Sequence, residues 1–128
     1  MVVDSSALVA IILAEVGYQD LLVKIKASNQ VAVGAPTLVE TLMVLAERLR
    51  GDPAPALKDL LRAAEAEVIP FTEDHSHAAV AAYLKFGKGR HRAALNFGDC
   101  LSYAAASLAK QPLLYVGDEF ALTDIGAA

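Results

Sequence analysis

Val2 and Val3 make a short apolar run closed by Asp4, which predicts a brief buried strand with the acid at its C-terminal end. Ser5 and Ser6 then start a helix through Ala7, Leu8, Ala10, Ile11, Ile12 and Ala14, with Gly17 as its stop. A second helix is expected from Tyr18 to about Ala27, because Leu21, Leu22 and Ile25 share one face while Lys24 and Lys26 lie off it. Val31 to Val33 reads as a second strand, ended by Gly34. Pro36 suits the first turn of a third helix, where its missing N–H would have had no partner. Leu38, Leu42, Leu45 and Leu49 mark that helix's core stripe, and Gly51, Asp52 and Pro53 end it. A fourth helix spans about Ala54 to Ala66, with Leu57, Leu60, Leu61 and Ala64 inward. Val68 to Phe71 is a third strand, and a fifth helix runs from Thr72, a cap, to Phe86. Beyond Asn96, a second capping residue, Leu101, Ala104, Ala105, Leu108 and Ala109 recur at helical spacing behind Asp99. Leu113 to Val116 is a fourth strand, and Gly117 to Phe120 is the turn that leaves it.

Strands alternating with helices predict a three-layer, Rossmann-like α/β domain with a short parallel sheet between helices. At 128 residues the chain is the size of one domain, and residues 1–128 are read as a single unit without repeats or linkers. The apolar content of 55%, much of it alanine, calls for closely packed helices, and a net charge of −4 argues against a protein that coats nucleic acid generally. Any polyanion would be bound locally. The longest uncharged apolar run, Ser5 to Ala14, is far shorter than the roughly 20 residues that cross a bilayer. No leader pattern precedes it, so the expectation is a cytoplasmic protein without a membrane partner. The lone Cys100 cannot form an internal disulfide and fits a reducing compartment.

Fifteen acids are present, and four have positions that such a sheet would gather. Asp4 and Asp118 stand just beyond apolar strands; Glu40 and Asp99 stand in early turns of helices. In a parallel sheet the strand C-termini and helix N-termini share one edge, so the four converge from distant parts of the chain. Two like charges about 4 Å apart repel by about 4 kcal/mol at an effective dielectric near 20, so such a pocket must take up protons or a cation. All-oxygen ligation suits Mg²⁺ or Mn²⁺. Zinc is disfavoured: His75, His77 and His91 lack ligand spacing, and Cys100 at a helix start reads better as a small buried apolar residue. Of the eleven cationic side chains, Lys85, Lys88, Arg90 and Arg92 lie within eight residues, in a glycine-punctuated loop leading to Asp99. Lys88, Arg90 and Arg92 are therefore candidates for holding flanking phosphates beside a metal that activates water on a phosphodiester.

Taken together, Met1 to Leu8, Glu40, the run from Gly87 to Arg92 through Asn96-Phe97-Gly98-Asp99-Cys100, and Pro112 to Phe120 with Thr123-Asp124-Ile125 resemble the PIN-domain toxins of the VapC type, ribonucleases of bacterial VapBC toxin-antitoxin pairs. The resemblance covers nearly the whole chain. It implies a Mg²⁺- or Mn²⁺-dependent endoribonuclease that cleaves RNA at few sites, often in tRNA or rRNA. Asp4 and Asp99 correspond to the metal ligands, Glu40 completes the acidic site, and Asp118 supplies the fourth acid, with Glu119 as the alternative. Ser6 fits a supporting role, holding a carboxylate or water. The resemblance also implies a homodimer and a cognate VapB-type antitoxin. Leu21, Leu22, Leu42 and Leu45 could meet that antitoxin, or could equally be core. Two other readings compete: a phosphoryl-transfer domain using Asp4 as acceptor, against which Ser6 stands where many such enzymes place a second acid, and an RNA- or protein-binding module that does not cut.

Overall fold

A computed structural model of the chain describes residues 1–128. Its elements follow in the order β1 (Val2–Val3), α1 (Ser5–Ile12), α2 (Tyr18–Ala27), β2 (Ala32–Gly34), α3 (Ala35–Arg48), α4 (Ala54–Ala63), β3 (Glu67–Ile69), α5 (Glu73–Phe86), α6 (Phe97–Ala109) and β4 (Leu113–Leu114), closing on a 3₁₀ turn at Phe120–Leu122. The four strands form one parallel sheet in the order β3-β2-β1-β4. β1 is central, with Val2 beside both Ala32 and Leu113.

Successive residues of a strand point to opposite faces, and here that alternation divides the core into two halves. Val2 and Leu113 pack with Phe86, Leu95, Ala104 and Ala105 of the α5–α6 side. Val3 and Leu114 pack with Leu8, Ile11, Leu21, Ile25 and Leu57 of the α1–α2–α4 side. The expected three layers result. No helix is long and apolar enough to cross a membrane.

Several boundaries shift for local reasons. α1 ends at Ile12 because Ala14 adopts a left-handed conformation (φ 51°), and Gly17, also left-handed (φ 90°), precedes α2. In α3 the fully buried positions are Thr37, Thr41 and Leu45, while Leu49 is exposed and Leu38 and Leu42 are half-buried against the α1–α2 side. The leucine stripe thus describes the rim of the buried face, whose centre is two threonines. Leu21 and Leu45 are core residues, so burial accounts for them without a partner. β3 is the sheet edge, starting one residue and ending two residues earlier than expected, with Val68 exposed; β4 stops at Leu114.

The chain after β4 is fastened from outside. Phe120 is buried against the α5–α6 core. Asp124 accepts hydrogen bonds from the Tyr103 hydroxyl of α6 (2.6 Å) and the Lys85 ammonium of α5 (3.1 Å). That carboxylate pushes the Tyr103 hydroxyl, already raised by burial, up to about 12.

Candidate active site

β1 and β4 lie side by side, yet β4 follows β3, which stands at the opposite edge of the sheet. The strand order therefore reverses between β1 and β4, and the C-terminal ends at such a reversal form the crevice where open α/β sheets hold ligands. The Asp4 N–H donates to the Leu114 carbonyl across this junction (2.9 Å).

Asp4 is the N-cap of α1 and only 2% exposed. Its Oδ2 accepts from the Ser6 N–H (3.0 Å) and the Ser6 hydroxyl (2.6 Å), and its Oδ1 accepts from the Ser102 hydroxyl of α6 (2.5 Å). The Ser6 oxygen in turn accepts from the Val116 N–H just past β4 (3.0 Å), so Ser6 ties the Asp4 carboxylate to the end of the neighbouring strand.

Asn96 caps α6 as expected. Its side-chain oxygen accepts from the Asp99 N–H (2.9 Å), and the Asp99 Oδ2 accepts from the Asn96 N–H (2.9 Å), a reciprocal capping box. Asp99 is thus both a good helix-start acid and a member of the acidic group. Glu40, half-buried on α3, accepts from the Ser5 hydroxyl through Oε1. Its Oε2 lies over Gly98, where any Cβ would overlap the carboxylate.

The carboxyl of Asp99 is pushed up to about 6. Burial is the largest cause, the hydrogen bond from the Asn96 N–H pulls the other way, and the negative charges of Asp4, Glu119 and Glu40 add to the rise. Four acids therefore share one electrostatic neighbourhood. The fourth charge that Asp99 feels belongs to Glu119, one of the two alternatives after β4, and Asp118 is an exposed residue of the same turn. Cys100 beside them is buried, and burial pushes its thiol up, as suits an inert core residue.

No three acidic, histidine or cysteine side chains converge tightly enough to hold an ion on their own. The donor set still fits one kind of ion. Asp99 and Glu40 each have one oxygen committed to the protein scaffold or helix cap, Asp4 accepts hydrogen bonds on both of its oxygens, and every donor in the group is an oxygen. Magnesium-like ions bind through one or two carboxylates and keep several waters, so they do not need a closed protein cage.

Lys88, Arg90 and Arg92 are exposed on the loop between α5 and α6. The loop is closed by hydrogen bonds from Lys88 N–H to the Leu95 carbonyl and from Leu95 N–H to the Phe86 carbonyl (both 3.0 Å). It delivers the chain directly to Asn96. Arg90 stacks 5.3 Å above the Tyr83 ring, and Lys85, the fourth cation of the run, is engaged by Asp124. His75 is buried at the start of α5, where its Nδ1 accepts from the Thr72 N–H (3.2 Å), while His77 is exposed. Neither approaches a metal role.

Ser102 and Thr37 escaped the reading of the sequence. A serine three residues after Asp99, on a helix face it shares with Gly98, Ala105 and Ala106, was the available signal.

An acidic crevice at the strand-order reversal of a small parallel sheet defines a class, and comparison with known proteins gives it a name: residues 1–126 match the family described as PIN domain. The chain belongs to that family. Within it the relatives are VapC ribonucleases. Ribonuclease VapC36 of Mycobacterium tuberculosis is 44% identical over 127 residues, 98% of this chain and 91% of its own length. Ribonuclease VapC of Mycolicibacterium smegmatis is 43% identical over 129 residues, 99% and 98% of the two chains. Among solved structures, the sarcin-ricin-loop-cleaving toxin VapC20 of Mycobacterium tuberculosis superposes with a TM-score of 0.80 at 17% identity, covering 99% of this chain and 97% of that one. A chain of a toxin-antitoxin complex from Klebsiella pneumoniae gives 0.67 at 20% identity, covering 94% and 89%.

Proposed function

We propose that this crevice is the active site of an endoribonuclease, the toxin of a toxin-antitoxin pair, which hydrolyses RNA phosphodiesters with a bound Mg²⁺ or Mn²⁺. The observation that carries this is the electrostatic gathering of Asp4, Glu40, Asp99 and Glu119 around one helix start, in a chain whose relatives are ribonucleases at 37 to 44% identity. Asp4 and Asp99 would hold the ion, Asp99 through the oxygen that its capping bond leaves available and Asp4 through Oδ1, which accepts only from Ser102. The ion, when bound, lowers the pKa of a water and offsets charge on the phosphate. Glu40 and Glu119 stand nearby to accept or relay the proton that the attacking water gives up. Glu119 is the better candidate than Asp118 for the fourth acid, because its charge reaches Asp99. Lys88, Arg90 and Arg92 would hold flanking phosphates, Arg by paired hydrogen bonds and Lys as a point charge. The substrate in this reading is a tRNA or an rRNA; the structural neighbour VapC20 is a toxin that cleaves the sarcin-ricin loop. A VapB-type antitoxin, a homodimer and a cytoplasmic location complete the reading.

Asp4→Asn and Asp99→Asn test it. Each should abolish cleavage of total RNA in Mg²⁺ or Mn²⁺ while circular dichroism stays that of the parent. Undiminished cleavage by either purified variant overturns the assignment. Cleavage lost by the parent in chelator and restored by added Mn²⁺ is the companion expectation.

A further inference from the structure

Asp4 is held by two hydroxyl chains whose directions the structure fixes. A hydroxyl has one proton to donate. The Ser102 hydroxyl gives its proton to Asp4 Oδ1 at 2.5 Å, so in its 3.3 Å contact with Thr37 it must accept, and the Thr37 hydroxyl must donate. By the same count the Ser6 oxygen accepts from the Val116 N–H and donates to Asp4 Oδ2. Thr37 belongs to α3, Ser102 to α6 and Val116 to the chain beyond β4. Ser102 is 1% exposed, and no buried side-chain polar atom here lacks a partner, so water does not substitute for these links.

A carboxylate offers about four acceptor directions. Ser6 occupies two of them on Oδ2 and Ser102 one on Oδ1. We infer that Ser102, oriented by Thr37, is a positioning residue that restricts Asp4 to a single available direction on Oδ1 and so makes it a one-oxygen ligand for the divalent cation. This rests on the ribonuclease reading above, in which Asp4 binds the ion. Thr37 acts only through Ser102, and all three groups are buried.

The test is calorimetric titration of the chelator-treated full chain with Mn²⁺, run beside an RNA cleavage assay. Ser102→Ala should weaken Mn²⁺ binding about tenfold or more, the usual cost of removing a group that orients a metal ligand. Thr37→Val, which keeps the shape and removes the hydroxyl, should weaken it in the same direction by less, and Thr37→Ser should bind as the parent does. In the double variant, Thr37→Val should add nothing to Ser102→Ala, because the first acts through the second. Ser102→Ala binding Mn²⁺ within about twofold of the parent, or additive losses in the double variant, overturns the inference. If Ser102→Ala fails to fold, the Thr37→Val and Thr37→Ser pair decides, equal behaviour of the two being the overturning result. Full Mn²⁺ binding by Ser102→Ala together with loss of cleavage in Asp4→Asn removes the relay and leaves the nuclease standing. A parent chain that neither binds Mn²⁺ nor cleaves RNA removes both.

Discussion

Asp99 feels both burial and the charges of Asp4, Glu40 and Glu119. With its folded pKa raised to about 6 from an ordinary value near 3.8, it favours folding fully only below the lower figure, where both states are protonated. As pH rises through about 6, the folded state must take on an unwelcome charge and that stability is lost. The metal-free protein should therefore melt at a lower temperature at pH 7 than at pH 5, and Asp99→Asn should reduce this difference. Added Mn²⁺ should restore stability at neutral pH and bind more weakly below about pH 6, where protons compete for the carboxylate; melting curves across pH, with and without the ion, check both. After β4, Glu119→Gln should lower cleavage about tenfold or more, as for other groups that support a metal site. Asp118→Asn, a change at a residue whose charge is not among those raising Asp99, should stay within about twofold. Steady-state rates on one RNA separate the two. From the sequence, Asp4, Glu40 and Asp99 were legible because strand ends and helix starts mark them. The choice between Asp118 and Glu119 was not, since the two are adjacent in one exposed turn. Ser102 was hidden by looking like an ordinary helix serine.

Among the elements, α6 does most of the organising. Its first turn holds Asn96, Gly98 and Asp99, and one turn on it supplies Ser102, so one helix start positions Asp99 and restrains Asp4. Gly98 is where α3 and α6 meet through the Glu40 carboxylate, and a methyl group there has no room. Gly98→Ala should displace Glu40 and cut cleavage by about a hundredfold, the scale expected when a reacting group is moved by about an ångström, with the far-ultraviolet spectrum little altered. The starts of α5 and α6 could be read from Thr72 and Asn96, because caps are local chemistry, whereas Gly17, read as the stop of α1, lies beyond its end at Ile12 and precedes α2. The buried face of α3 could not. Thr41 turns inward with its hydroxyl satisfied inside the helix by the Thr37 carbonyl (2.7 Å), whereas Thr37 finds its partner in Ser102 of α6, a satisfaction that only tertiary structure provides.

Across the whole molecule, the parallel sheet places a negatively charged crevice at one edge and sets the exposed cations of the Gly87–Arg92 loop immediately ahead of α6. A net charge of −4 leaves that loop the natural landing point for RNA. Replacing Lys88, Arg90 and Arg92 together by alanine should raise KM for RNA far more than it lowers kcat. It should also flatten the salt dependence of binding by about 0.7 in log–log slope for each single-strand phosphate that is no longer neutralised; titrations at several salt concentrations measure it. The three-layer order was legible because Val2–Val3, Val31–Val33 and Leu113–Leu114 are apolar pairs and triplets between helical stretches, whereas β3, an exposed edge, blurred at both ends. Glu119 hangs between two fixed points, the last residues of β4 and the buried Phe120 with Asp124 clasped by Tyr103 and Lys85. A clasp on the outer surface thus acts as the tether length of the Glu119 carboxylate: loosening it would leave every acid in the chain and let one of them wander.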